Sequence, residues 1–408
     1  MKKTLITLAV LAAATGVAQA QSSVVIYGTV DAGFVSERGG VNGSVNKIDS
    51  GIASASRIGF KGTEDLGSGL SALFVLESGF NVDSGAQGNN EGLFGRQAYV
   101  GLSSKTTGTL TLGRQYTPWY NTLSKVADPF AVGYAGSAKN LFPANTTRTS
   151  NTVLYTSPNF SGFDADVSYS AANNGTESTV SSKIGRQMGA SVGYSNGPLN
   201  ARLAYNNTSN DVAIGGVVAE TGSARNWLAA ANYDFAVVKA YAAYGVNKGV
   251  NSSLRNNGNL NAFNYTSAAT SNDSTTALIG ATVPVGPAGT VMASVIHVND
   301  KSGLNAYGYR ATAPSTDSAN LLIGATVPVG PAGTVMASYI KTNDKTRFNA
   351  DADQWALGYS YALSKRTSTY ASYAKIKNKN GAVYTVGNNS NVGSGDKAFN
   401  VGVRHSFY

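Results

Sequence analysis

From Val24 to Phe34 the chain alternates, with Val24, Ile26, Gly28, Val30, Ala32 and Phe34 on one side and Val25, Tyr27, Thr29, Asp31 and Gly33 on the other. An apolar row backed by hydroxyls and an acid is the period-two pattern of a strand with one face in an apolar medium and one in water. Ser56 to Lys61 repeats it, with Ile58 and Phe60 opposing Arg57, Gly59 and Lys61. Trp355 to Leu363 does so again, with Trp355, Leu357, Tyr359, Tyr361 and Leu363 opposing Ala356, Gly358, Ser360 and Ala362. The outer face of a soluble sandwich would carry Lys and Glu. Here the non-apolar face is mostly Gly, Ser, Thr, Ala and Tyr with an occasional Arg, which suits a wall around a wet interior.

The connections alternate too. Short turns are predicted at Glu64 to Gly69, Ser103 to Gly108, Ser157 to Gly162, Ser195 to Asn200, Asp234 to Val237, Val285 to Gly289, Val329 to Gly333 and Leu363 to Thr367. Between them lie longer polar segments such as Ser36 to Ala55, Asn81 to Leu93, Asn173 to Arg186, Asn206 to Ala224, Asn247 to Thr275 and Asn378 to Asp396. Tight turns at one end and long Asn/Ser/Gly loops at the other are the asymmetry of transmembrane barrels. One connection, Thr117 to Thr147, is long but rich in aromatics: Trp119, Tyr120, Phe130, Tyr134 and Phe142. A segment of that composition packs against something, and folding inward onto the barrel wall is the place expected for it; a small helical insertion is the alternative.

Leu278 to Ser294 reads LIGATVPVGPAGTVMAS, and Leu322 to Ser338 repeats the same seventeen residues 44 positions later. Ala356 to Ser372 is a third, diverged copy in which Leu357, Tyr359 and Tyr361 match Ile279, Ala281 and Val283. Each copy is strand, five-residue turn, strand, and a hairpin is the unit by which an antiparallel barrel grows while its strand number stays even. Eight turns joining two strands each, with a first strand and a last, predict an all-β transmembrane antiparallel barrel of 18 strands: a 16-strand barrel plus one duplicated hairpin, at about 277–301 and 321–345. Extrusion of the extra copy as a loop would leave sixteen. The apolar row Ile323, Ala325, Val327 and Val329 argues against leaving it in water.

Composition removes other classes. Charged residues are 13% of the 408, glycine is 47, proline 10 and cysteine absent. The low charge lies beside many Tyr, Asn, Ser and Thr rather than long apolar runs, so a helical membrane bundle is excluded. Without cysteine there is no disulfide framework, thiolate metal site or lipid-modified N-terminal cysteine. Residues 1–20 read as a signal peptide: Lys2 and Lys3, an apolar stretch from Leu5 to Ala14, then Ala18-Gln19-Ala20 before the expected cleavage. Removing them with their two lysines leaves 388 residues, 21–408, and lowers the formal charge from +9 to +7.

Seven stretches resemble the trimeric general porins of Gram-negative bacteria, of the β-proteobacterial type. They are VVIYGTVDAG (Val24 to Gly33), SRIGFKGTEDLGSGL (Ser56 to Leu70), LESGF (Leu76 to Phe80), GRQAYVGL (Gly95 to Leu102), TLGRQYTP (Thr111 to Pro118), LSKRTSTYASYAK (Leu363 to Lys375) and VGVRHSF (Val401 to Phe407). In order, they run from the first predicted strand to the last. The resemblance implies an outer-membrane, water-filled homotrimer for passive diffusion of small ions and hydrophilic solutes, with Thr117 to Thr147 as the constriction loop facing a basic cluster on the wall. Carried over by position, that cluster is Arg57, Lys61, Arg96 and Arg148. Parity puts Arg57 and Lys61 on the polar face, Arg96 opposite Tyr99 and Gly101, and Arg148 on the side of Ser150 and Thr152. Arg114 alternates outward from Leu110 and Leu112 unless Gly113 marks a bulge.

A ring of Arg and Lys at a narrow point favours anions, and Asp31 and Glu77 at lumenal parity, with Asp128 in the inward loop, are expected to temper that preference. The implied partners are a second and third copy of the chain, outer-membrane lipid and the barrel-assembly machinery. The family ends on the aromatic that this machinery reads, whereas here Phe407 is followed by Tyr408. A solute-selective channel and an adhesin or receptor-type barrel are the alternative functions, and a soluble lectin a third. His297 and His405 lack a nearby acid and nucleophile pattern, so no enzyme is expected. Nor is any cofactor or metal, and the scattered Lys and Arg give no nucleic-acid motif.

Overall fold

The computed structural model describes residues 23–40, 43–88, 92–127, 147–171, 184–209, 211–214, 217–219, 222–249, 273–286, 288–300, 317–345, 349–380 and 395–408, with Ala382, Tyr384 and Val386. The proposed signal peptide therefore lies outside the described residues, as do Asp128 and most of the aromatic connection.

In chain order the strands begin with β1 (Ser23–Gly40), β2 (Gly43–Ser50), β3 (Arg57–Gly67), β4 (Leu70–Gly79), β5 (Gln97–Ser104) and β6 (Gly108–Tyr116). A short helix α1 (Pro118–Thr122) runs on into one π-helical turn, Leu123–Ala127. Then come β7 (Arg148–Thr156), β8 (Phe163–Ser170), β9 (Gln187–Asn196), β10 (Leu199–Ser209), the small pair β11 (Val212–Ile214) and β12 (Val217–Ala219), β13 (Ser223–Asp234) and β14 (Lys239–Gly249). The series closes with β15 (Ser274–Val285), β16 (Gly289–Asp300), β17 (Ser318–Val329), β18 (Gly333–Asp344), β19 (Ala352–Ala362), β20 (Thr367–Asn378) and β21 (Gly395–Phe407).

Each wall strand pairs antiparallel with its neighbours in sequence, and β1 closes the ring against β21, from Gly28 opposite Phe407 to Gly39 opposite Gly395. Along its other edge β1 pairs first with β3 and then with β2, so β2 extends the line of β3 above the wall rather than adding to the circumference. The wall thus has 18 strands. Both hairpin copies are in it: β16 pairs with β17 from Thr290 opposite Thr326 to Val298 opposite Ser318. No helix among the described residues is long and apolar enough to cross a membrane; the strands do so.

Face assignment follows from what the outer surface exposes. Val24, Ile26, Leu110, Leu112, Val153, Trp227, Ile279, Ile323, Leu357 and Val403 all point out of the ring. In water this apolar area would cost about 25 cal/mol per Å²; in hydrocarbon it costs nothing, and the closed ladder leaves no backbone edge unpaired. The inner face carries the buried polar residues, including Thr29, Asp31, Glu77, Thr152, Ser191 and Asn232.

The eight tight turns stand where the turn residues predict. Two of the polar connections differ from the expected loops. Ser36 to Ala55 is largely strand, because β1 continues past the membrane and folds back as β2, with Lys47 pairing with Glu37 at 3.7 Å and Asp49 at 3.1 Å. Asn206 to Ala224 likewise contains the end of β10 and the β11–β12 pair. In both, Gly and Asn hide a ladder whose backbone groups find partners above the bilayer.

Candidate functional site: the lumen and its narrow zone

On the wall formed by β1, β3, β4 and β5, register puts Thr29 opposite Arg57, Tyr27 opposite Gly59, Gly59 opposite Glu77, and Val25 opposite Lys61. Directly opposed residues share a face, so Arg57, Lys61, Tyr27 and Glu77 all face inward. The Lys61 ammonium lies 5.4 Å from the Tyr27 ring centroid, and Arg57 Nη1 donates to the Ala55 carbonyl at 3.1 Å. Among the described residues neither base has a carboxylate within ion-pair distance.

The two acids on this wall are both engaged. Glu77 accepts from the Arg96 Nε at 2.5 Å and from the Tyr27 hydroxyl at 3.0 Å. Asp31 is fully buried, and its carboxylate accepts from Tyr370 Oη at 2.6 Å, Ser54 N at 2.7 Å and Ala53 N at 3.1 Å. Ser56 donates its hydroxyl to the Asp31 carbonyl at 3.1 Å. Asp31 thereby pins residues 51–56, the break between β2 and β3, against the inside of the wall. That break carries the Ala55 carbonyl that orients Arg57.

Arg96 reaches this cluster by a route that alternation does not supply. Tyr99 faces inward, opposite Val75, while Val100 and Leu102 are exposed on the outer face. By parity Arg96 would follow them outward. It precedes the first paired residue of β5, however, and its side chain turns back to Glu77.

A bulge governs the next pair. Between Gly113 and Gln115 the β6–β7 register slips, and Arg114 is left facing Ser150 and Asn151. Gly113 has φ +132 and Asn151 φ +51, conformations that a bulge demands and that glycine adopts without strain. Arg114 Nε donates to the Gly95 carbonyl at 2.6 Å and Nη1 to Ser150 Oγ at 3.0 Å. The slip also breaks the parity that put Arg148 beside Thr152: Thr149 now shares Thr152's face, their hydroxyls 2.8 Å apart. Arg148 instead faces Tyr116, with its guanidinium 4.4 Å from the ring centroid and Nη2 donating to the hydroxyl at 2.6 Å. The Tyr116 ring stacks on Tyr120 of α1 at 5.2 Å, so Arg148, Tyr116 and Tyr120 form one tier at the root of the inward segment.

That segment enters the barrel. Thr117 caps α1 by accepting from the Tyr120 N–H at 3.1 Å, Pro118 suits the first helical turn, and the chain runs along the inner wall. Trp119, Leu123, Val126 and Ala127 are buried with Ala204, Leu228, Ala230, Ala243, Leu278 and Ile296. Asn232 Nδ2 holds the Val126 carbonyl at 2.9 Å.

A further inward cluster has no counterpart in the sequence reading. Arg202 on β10 pairs with Asp164 and, at 2.7 Å, with Asp166 on β8, reaching across Gly193 of β9. A Cβ at Gly193 would come within 2.8 Å of the guanidinium and of Asp164. The signal was present in FDADVSYS, where Asp164 and Asp166 alternate with the outward Phe163 and Val167. At the chain end, Phe407 lies opposite Gly28, and Tyr408 stacks under Arg366 with 4.8 Å between guanidinium and ring. His297 and His405 lie on different strands, β16 and β21.

A closed antiparallel ring, apolar outside and polar inside, with a segment folded into its bore and unpaired bases on its inner wall, defines a transmembrane β-barrel channel. The sequence signature of the Gram-negative porins matches residues 7–313 and 303–381. Over the whole length of both chains this one is 33% identical to an outer membrane porin protein of Bordetella pertussis and 31% identical to outer membrane porin protein 32 of Delftia acidovorans. The anion-selective porin from Comamonas acidovorans superposes with a TM-score of 0.60 at 27% identity, over 95% of this chain and 100% of that one. The chain belongs to the Gram-negative porin family, and it is an outer-membrane channel for passive diffusion of small hydrophilic solutes and ions.

Proposed function

We propose that this pore prefers anions, and that Arg57 and Lys61 set the preference, with Arg96, Arg114 and Arg148 as supporting bases of the constriction. The observation that carries the reading is the placement of charge on the wall: Arg57 and Lys61 face the bore without an ion pair among the described residues, whereas Glu77 is paired with Arg96 and Asp31 is fully buried, its carboxylate held by Tyr370 and backbone N–H groups. Low-dielectric walls focus the field of such bases onto a passing ion. Register puts Arg114 on the face of Ala98, Val100 and Leu102, and Arg148 on the face opposite to that of Thr149 and Thr152, so these two are proposed to act on the bore only through the root of the inward segment. Asp128 remains the proposed acid of that segment. The anion selectivity of the Comamonas relative agrees in sign.

The working unit is proposed as a homotrimer, delivered by a signal peptide cleaved after Ala20 and assembled by machinery that reads Phe407 and Tyr408. Planar-bilayer recordings under a salt gradient test the selectivity. Neutralising Arg57, Lys61 and Arg148 together is expected to move the reversal potential toward cation preference; an unmoved potential overturns the assignment.

A further inference from the structure

Apart from Met1 the chain has three methionines, and the duplicated hairpin supplies two of them: Met292 on β16 and Met336 on β18, at the same place in each copy. Register fixes which way both point. Met292 is directly opposite Thr282 of β15 and Gly324 of β17, and Met336 is directly opposite Thr326 of β17 and Gly358 of β19. Directly opposed residues share a face. On the same two strands Val295 and Tyr339, of the other parity, are exposed on the outer face, so both thioethers face the bore. The third, Met188, is exposed on the outer face of β9.

The cross-strand partners of the pair are Thr and Gly, too small to cover a methionine, and both side chains are partly exposed. The Met336 methyl is laid toward β19, where a Cβ on Gly358 would come within 3.3 Å of it. Met292 packs against the cluster that seats the inward segment, whose buried members include Trp119, Leu123, Val126, Leu278 and Ile296. One thioether thus lines the open wall, and the other is both wetted by the bore and part of the packing that holds the constriction in place. With no cysteine in the chain, these are its lumenal sulfurs.

We propose that Met292 and Met336 are an oxidation site for hydrogen peroxide passing through the bore, and that a sulfoxide at Met292 loosens the seat of the inward segment. The sulfur lone pair attacks one peroxide oxygen and the O–O bond breaks. That oxygen stays on sulfur, and the other leaves as water with both peroxide hydrogens. Sulfur gives up two electrons and the peroxide takes them. The product is a polar side chain in place of a flexible apolar one. Burying it against the cluster carries a desolvation cost, so it turns toward the water of the bore and its contact beneath the segment is lost. Sulfoxide reductases restore the thioether, which makes the change reversible. Hydrogen peroxide is uncharged, so the site does not depend on the anion preference proposed above.

The test records single channels of the full-length barrel in planar bilayers before and after hydrogen peroxide, with peptide mass spectrometry on the same treated protein. Both lumenal methionines are expected to gain one oxygen at about the rate of free methionine, and open-channel current fluctuations to grow about twofold. Met292→Leu conserves volume closely enough for a packed site and should abolish the growth in fluctuations, whereas Met336→Leu should leave it; the heat-modifiable gel shift of each variant reports that it folds. Either lumenal methionine left unoxidised when free methionine has been fully converted, an unchanged current with both oxidised, or an equal response from Met292→Leu overturns the proposal. The reversal potential of the leucine variants before peroxide reads the wall charges alone and stays at the parent value, so failure of this site leaves the channel assignment standing.

Discussion

At the scale of single residues, the selectivity of the bore depends on which charges are already spent. Glu77 holds Arg96 at 2.5 Å, so the two largely cancel for a passing ion. Glu77→Gln should release Arg96 and shift the reversal potential further toward anions, measured under the same salt gradient as the parent; a shift toward cations would show that Glu77 was not neutralising it. Asp31 plays a different part. It lies fully buried beneath residues 51–56 and accepts three hydrogen bonds. Asp31→Asn replaces acceptor capacity with a donor facing two backbone N–H groups, at an expected cost of about 1–3 kcal/mol. The readout is the temperature at which the folded barrel converts to the slower-migrating unfolded chain on a gel. Tyr370→Phe should lower that temperature by less, since it removes one of the three donors.

The elements were largely legible from alternation, because the membrane and the bore impose opposite demands on successive residues. Ile323 on β17 illustrates this: it is exposed near mid-strand, on the face read as outward. Ile323→Arg is expected to destabilise the barrel by about 2–4 kcal/mol in a lipid refolding titration, as for a cation near the bilayer midplane. The lumenal Gly324 beside it should tolerate a serine far better. Alternation failed where the ladder itself changes phase. Gly113 and Asn151 absorb a bulge that turns Arg148 from Thr152 toward Tyr116, and nothing in the residue types at 148–152 counts the extra residue. It failed also at Arg96, which lies just outside the paired part of β5, and in Ser36 to Ala55, where a glycine-rich stretch carries a ladder beyond the membrane. The Arg202 cluster escaped because its partners are on another strand, and only the register of β8, β9 and β10 brings them together.

For the molecule as a whole, the duplicated hairpin sets the girth. Strand number governs barrel diameter nearly linearly, so removing one copy, residues 279–322, should leave a closed sixteen-strand ring with roughly a fifth less cross-section. The deletion joins Leu278 to Ile323 and regenerates the same seventeen-residue unit. Its single-channel conductance is expected to fall while its resistance to unfolding by heat in detergent is kept; an unfolded product would mean that the second copy is structurally indispensable.

The doubled unit also gives the nascent chain a choice of partners. While the ring is still open, β14 can zip onto either of two strands whose last eight residues, LIGATVPV, are the same, β15 or β17. Only the leading four residues, STTA against SANL, tell them apart, and there Thr276 and Asn320 offer different side chains to the interior. Pairing with the later strand would close a smaller ring but leave β15 and β16 outside it, with two unpaired edges and an apolar row in water. Burial of the first copy, rather than closure alone, therefore favours the larger ring.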